Sequence, residues 1–226
     1  VTLMSNSLIK HHPNPQTLAL FAAGQMGEAR AVVLATHLTL CKSCRVAVRD
    51  FETLGGAVLE TVEPVTMSAS AIDDFWAHAG EDIAVAATPS TNAANDYDFG
   101  VALPLQRYLK GDIDSVKWKA AAPGLSQHII RAEGYRTDAL RLLKIMPGTR
   151  IPKHTHRGGE FTLILRGAYK DDLGQFGPGD FADLDGENTH APHAIGDEPC
   201  ICLIATNAPL HFKSIIAKAA QPFVGL

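Results

Sequence analysis

Two clusters of residues able to hold a metal stand out in the 226-residue chain. The stretch HTHRGGEFTL carries His154, His156 and Glu160 at the opening of a β-like run, and His190 follows in a later one. Far upstream, THLTLCKSC spells HxxxCxxC with His37, Cys41 and Cys44, preceded by the pair His11 and His12. One imidazole and two thiolates at this spacing suit a tetrahedral Zn2+, with the fourth donor drawn from the upstream pair; His12 is taken as that ligand and His11 as the alternative. On a strand, side chains two apart share a face, so His154 and His156 point the same way and Glu160, at an even offset, joins them. Adding His190 makes three imidazoles and one carboxylate around a single divalent ion, for which Zn2+, Fe, Mn and Ni are all candidates.

The remaining cysteines, Cys200 and Cys202, also share a strand face and form a candidate redox pair, although a disulfide between residues two apart on a strand is strained. All four cysteines thus fall in two short pairs, which is no spread-out disulfide framework and fits metal or redox chemistry in a reducing compartment.

The elements that must position these groups change character along the chain. In NPQTLALFAAG, Asn14 serves as N-cap, Pro15 as first helical residue and Gly24 as stop. Further helices are expected from about Glu28 to Leu40, Ser43 to Glu60 and Ser68 to His78, with a kink at Gly55 and Gly56. Four short helices over about 75 residues lie near the size at which a bundle needs a staple, and zinc at the junction of the second and third supplies one. Downstream, LRLLKIMPG, EFTLILRGAY, DFADL, CICLIAT and LHFKSII are short apolar or alternating runs between Gly, Pro, Asp and Asn, which indicates an all-β sandwich or barrel.

Charge marks the join. The net charge is −4, and residues 66–100 hold six acidic side chains and no Lys or Arg. This region ends in AVAATPSTNAANDYD, the composition of an exposed connector. The expected organisation is therefore a helical domain over 1–83, a linker over 84–100 and a β domain over 101–226. The balance lacks the basic face of a DNA binder. The opening VTLMSNSLIK is no signal peptide and no run is long enough to span a membrane, so the chain is expected in the cytoplasm.

Gly148, five residues, then His154, His156, Glu160 and Gly167 resembles the first cupin motif, and Gly179, five residues, then Asp185, Glu187 and His190 resembles the second. Asp185 and Glu187 stand where proline and glycine are usual, and Ala194 where asparagine is. From about Lys10 to Phe223 the chain resembles the ChrR-type anti-sigma factors, on KHH, LATHLTLCKSC, HTHRGGEFTLILRGAY, CICLIAT and QPF. The resemblance implies a zinc-stapled anti-sigma bundle ahead of a metal-binding cupin barrel. It also implies a cytoplasmic regulator that sequesters an extracytoplasmic-function sigma factor and releases it under oxidative stress such as singlet oxygen.

For the sigma factor, Leu18, Phe21, Val33 and Phe51 are the expected apolar contacts, and Asp73, Asp74, Glu81 and Asp82 the charge complement to a basic partner. The competing reading is a cupin dioxygenase with a small-molecule ligand in the barrel, since histidines, a carboxylate and open metal positions are what oxygen activation needs. A complete amino-terminal zinc bundle, for which such an enzyme has no use, favours the regulator.

Overall fold

In a computed structural model, residues 9–79, 103–109, 111–130, 139–156, 158–206 and 210–212 are described; of Leu103, His156 and 210–212 only the backbone is. The helices are α1 (Pro15–Ala22), α2 (Glu28–Leu40), α3 (Lys42–Leu59), α4 (Ala71–Ala79) and the short α5 (Leu103–Gln106). Asn14 caps α1 by accepting from the Thr17 N–H at 2.8 Å, Pro15 opens it, and Gly24 follows it with φ +67°. α3 continues as one helix through Gly55 and Gly56, the place where a kink is expected. Two glycines cost roughly 1 kcal/mol each in a helix interior, too little to end a helix whose other residues favour it. The expected connector 84–100, with Glu81 and Asp82, lies outside the described residues.

The β region contains β1 (Lys119–Ala122), β2 (Leu125–Ile130), β3 (Ala139–Ile145), β4 (His154–His156), β5 (Glu160–Arg166), β6 (Ala168–Asp171), β7 (Gly174–Phe176), β8 (Phe181–Leu184), β9 (Thr189–His190), β10 (His193–Ile195), β11 (Cys200–Thr206) and β12 (Leu210–Phe212). They form a six-stranded sheet, β1-β2-β3-β11-β5-β8, and two three-stranded sheets, β10-β6-β7 and β12-β4-β9. Every pairing is antiparallel.

The large sheet is covered on both faces, which is why CICLIAT reads as an unbroken apolar run: all seven residues of β11 are buried. Strand alternation divides them. Cys200, Cys202 and Ile204 turn to the barrel interior with Ile164 and Leu184. Ile201, Leu203 and Ala205 turn the other way, with Leu142, Phe161 and Phe181, into a core shared with Leu34 and Val33 of α2. α2 lies on β5 and β11, α1 on α3, and α5 on α2. α2 therefore buries its apolar side against the sheet while α1 packs on α3, and Tyr108 ties the segment after α5 to α2 by donating to Glu28 at 2.6 Å.

α4 buries no residue, and α3 from Glu52 onward is exposed. Leu34→Ala, at a fully buried position between helix and sheet, should lower stability by about 2–5 kcal/mol in urea unfolding of the whole chain. Leu54→Ala, on the uncovered half of α3, should change it by less than about 0.5 kcal/mol.

Candidate metal centres

The sharp turn between α2 and α3 builds the first centre. The two helices meet at 119°, with Cys41 as the single extended residue between them at φ −107°, ψ 106°. That geometry brings the last turn of α2, carrying His37, against the first turn of α3, carrying Cys44. Arg45 steadies the corner by donating to the carbonyls of Leu38 and Thr39 that α2 leaves unpaired at its end. His12 completes the set from the arm before α1. The donor atoms of His12, His37, Cys41 and Cys44 all lie within 4.8 Å of one another, and this is the one such cluster among the described residues.

Individual distances match a metal rather than a disulfide. His12 Nδ1 lies 3.4 Å from both sulfurs, and His37 Nε2 lies 3.4 Å from Cys44 Sγ. Ligands at about 2.0–2.3 Å from a tetrahedral Zn2+ are separated by roughly 3.3–3.8 Å. The His37 ring is preset for the task. Its Nδ1 lies 3.0 Å from the Gly179 carbonyl, an acceptor only, so Nδ1 carries the hydrogen and Nε2 offers its lone pair to the sulfur side. Burial, opposed by that hydrogen bond, holds the imidazole neutral, with its pKa down at about 4 in the absence of metal. Burial and the neighbouring Cys41 push the Cys44 thiol up to about 12. The Cys44 thiol therefore stays protonated on its own, and a nearby dication is what would favour its ionised form. His11, the alternative fourth ligand, points elsewhere: it stacks on Phe176 at 4.1 Å and lies 3.1 Å from the Gln175 carbonyl.

The second centre lies inside the barrel. His154 on β4 and His190 on β9 are register partners, and both are buried with Glu160. Their Nε2 atoms stand 3.0 Å apart. Each ring holds its hydrogen on the far side, His154 Nδ1 donating to the Pro152 carbonyl at 2.8 Å and His190 Nδ1 to the Asp171 carboxylate at 2.9 Å. The two Nε2 atoms therefore face each other across the barrel interior at contact distance. Two nitrogens on one metal at about 2.0–2.1 Å sit at such a separation. Glu160 accepts from the Thr162 hydroxyl at 3.0 Å. His156 lies on β4, but its side chain is outside the described residues. The enclosing cavity measures about 40 Å³ and is lined by apolar side chains including Leu143, Ile145 and Ile204.

Cys200 and Cys202 stand side by side with sulfurs 3.6 Å apart, both buried, and Cys202 lines the same cavity. The Cys200 hydrogen bond and burial push the Cys202 thiol well up, so Cys202 is protonated and weakly nucleophilic at rest.

Residues 107–209 match the family model described as the ChrR cupin-like domain. Anti-sigma-E factor ChrR of Cereibacter sphaeroides is 38% identical over 216 residues, spanning 95% of this chain and 98% of that protein. The chain belongs to the ChrR family of anti-sigma factors. A chain in the crystal structure of Rhodobacter sphaeroides SigE in complex with the anti-sigma ChrR superposes with a TM-score of 0.72 at 34% identity, covering 88% of this chain and 99% of that one. Family membership and the observed architecture agree with the helical region followed by a cupin barrel expected from the motifs.

One expectation for this ChrR-family chain needs correction. Leu18 and Val33 are buried, Val33 completely, and Phe21 and Phe51 are partly buried against the same core. Val33 packs between α2 and the sheet, and Leu18, Phe21 and Phe51 join the same core from α1 and α3, so Leu18 and Val33 are covered by their own chain. Asp171 and Asp180 were not anticipated. Neither is a donor in either motif, and nothing in KDDLG separates Asp171 from Asp172. Only the fold sets the first against His190 and leaves the second on the surface near Lys153, at 3.8 Å.

Among the described residues no single helix is long and apolar enough to cross a membrane. Cys41→Ser in the full chain should reduce bound zinc by about one equivalent in metal analysis, whereas Lys42→Ala, at an exposed neighbour, should retain it.

Proposed function

We propose that this anti-sigma factor holds an extracytoplasmic-function sigma factor through the uncovered apolar surface of α3 and α4, with zinc on His12, His37, Cys41 and Cys44 fixing the helices that present it. The observation that carries this reading is the set of large apolar side chains left in water. Leu54 and Val58 share one face of α3, and Ile72, Phe75 and Trp76 are 57–65% exposed on α4. An amphipathic helix that buries no residue among the described ones has its apolar side available to a partner. Asp73 and Asp74, in the first turn of α4, add negative charge suited to the basic faces with which sigma factors contact DNA. The complex of SigE with ChrR is a property of the related protein, and it supports the same partner class here. The role is regulatory, with no direct contact to DNA.

The barrel is the sensory part in this reading. His154, His156, Glu160 and His190 hold one divalent ion, Zn2+ or another of Fe, Mn and Ni, and oxidative stress of the singlet-oxygen type acts on that site to release the sigma factor. Cys200 and Cys202, beside the same cavity, are available to chemistry that begins there. The enzyme reading is weaker on volume: about 40 Å³ holds an ion and a few waters at roughly 10–15 Å³ each. Small-molecule pockets are usually about 300–1,000 Å³.

Copurification of the full chain with an extracytoplasmic-function sigma factor tests the function, and failure to retain any such factor counts against it. Trp76→Ala should weaken the complex by about 30-fold, the effect of a buried aromatic anchor worth about 2 kcal/mol, with zinc content unchanged. Replacing His154 and His190 together by alanine should leave sigma binding in place while abolishing release on exposure to singlet oxygen. Undiminished release would remove the sensory role.

A further inference from the structure

The turn between β7 and β8 belongs to the barrel by sequence, yet it holds two of the four donors of the amino-terminal centre. Asp180 is only 3% exposed. Its Oδ1 accepts from the backbone N–H of Lys10 at 2.6 Å and of His11 at 3.0 Å, and its Oδ2 from the N–H of Gly177 at 2.8 Å. The next residue, Phe181, donates its N–H to the His11 carbonyl at 3.0 Å. The arm is therefore pinned through both the N–H and the carbonyl of His11, the residue that leads into His12. The preceding residue, Gly179, accepts from the His37 ring at 3.0 Å. One imidazole is placed through its backbone and the other through its ring, from adjacent residues of a single turn.

The turn is shaped for this contact. Gly179 has φ +88°, and a Cβ there would come within 2.9 Å of Ile9 on the arm. Charge-assisted bonds from a buried carboxylate to backbone N–H groups are among the stronger hydrogen bonds a protein makes. Phe181 packs edge-on against the His37 ring at 5.3 Å. From this platform β8 runs to Leu184, whose register partner on β5 is Glu160, three residue steps or roughly 10 Å away. Asp183 on the same strand accepts from the Asn14 N–H at 3.0 Å. A short strand thus has the amino-terminal donors at one end and a barrel donor at the other.

We propose that Asp180 is a positioning residue of the zinc centre, through which the barrel sets the zinc affinity of the helical region. Asp180 never touches the metal. It acts by holding the arm so that His12 enters the coordination sphere without first being ordered, while Gly179 orients His37. The proposal rests on the zinc reading of the four donors.

The test uses the full chain, with zinc affinity measured by competition against a chromogenic chelator and with Co2+ as a spectroscopic substitute. Cys41→Ser checks the underlying reading: if it retains the zinc equivalent, the zinc assignment itself fails. Given that loss, Asp180→Asn, which keeps the side-chain shape but not its charge, should weaken zinc binding by about tenfold, within the range usual for partners one shell beyond a metal. Its Co2+ visible bands should shift as the His12 contribution weakens. Asp180→Ala should weaken binding further, and Asp172→Ala, an exposed acid of the same barrel, should leave affinity within twofold. Circular dichroism and the barrel's own metal content should match wild type in Asp180→Asn. Zinc affinity within twofold of wild type in a folded Asp180→Asn, with unshifted Co2+ bands, would overturn the proposal.

Discussion

The hydrogen bond from the His37 ring to the Gly179 carbonyl, 3.0 Å long and buried, joins a donor of the amino-terminal cluster to the β region. A carbonyl can only accept, so the bond determines which ring nitrogen faces the sulfurs. His37 itself sits where it does because α2 is seated on β5 and β11. α2 is therefore fixed to the sheet, and α1 and α3 are attached by packing on one another and, through α3, on α2.

That arrangement explains the division of apolar surface. α2 is committed to the shared core from Ala29 to Leu34, and α1 is held near it by its capped start at Asn14 and its contact with α3. α3 leaves the core within three turns, after Phe51, and its remaining apolar residues stay in water with those of α4. A helix anchored at one end by a corner and free at the other can present its far half to another protein without disturbing the core. The arm at residues 9–14 covers part of β8, which would otherwise be an open edge of the six-stranded sheet. One segment thus protects a sheet edge and delivers a donor.

In the barrel the governing constraint is the placement of hydrogens. Pro152 and Asp171 claim the Nδ1 hydrogens of His154 and His190, leaving both Nε2 atoms turned inward across 3.0 Å. The space around them is small and lined largely by apolar side chains.

The amino-terminal cluster was legible as residue types at characteristic separations, because a CxxC at a helix junction imposes spacing on the chain itself. The helix limits were legible where Asn14, Pro15 and Gly24 punctuate them, and the strands where alternation meets turn residues. Leu18 and Val33 show where such reasoning stops. Helical periodicity says that a side is apolar, not whether a sheet or a partner covers it. Likewise Asp171 and Asp180 look like any other acids in a Gly- and Asp-rich turn. Local sequence determined the elements, the donors and the family, since those depend on contacts a few residues apart. Tertiary structure alone decided which apolar faces are buried, which nitrogen of the His37 ring faces the sulfurs and which acids lie against the donor residues. Those outcomes depend on contacts made across as many as 170 positions, a range over which residue spacing carries no geometric information.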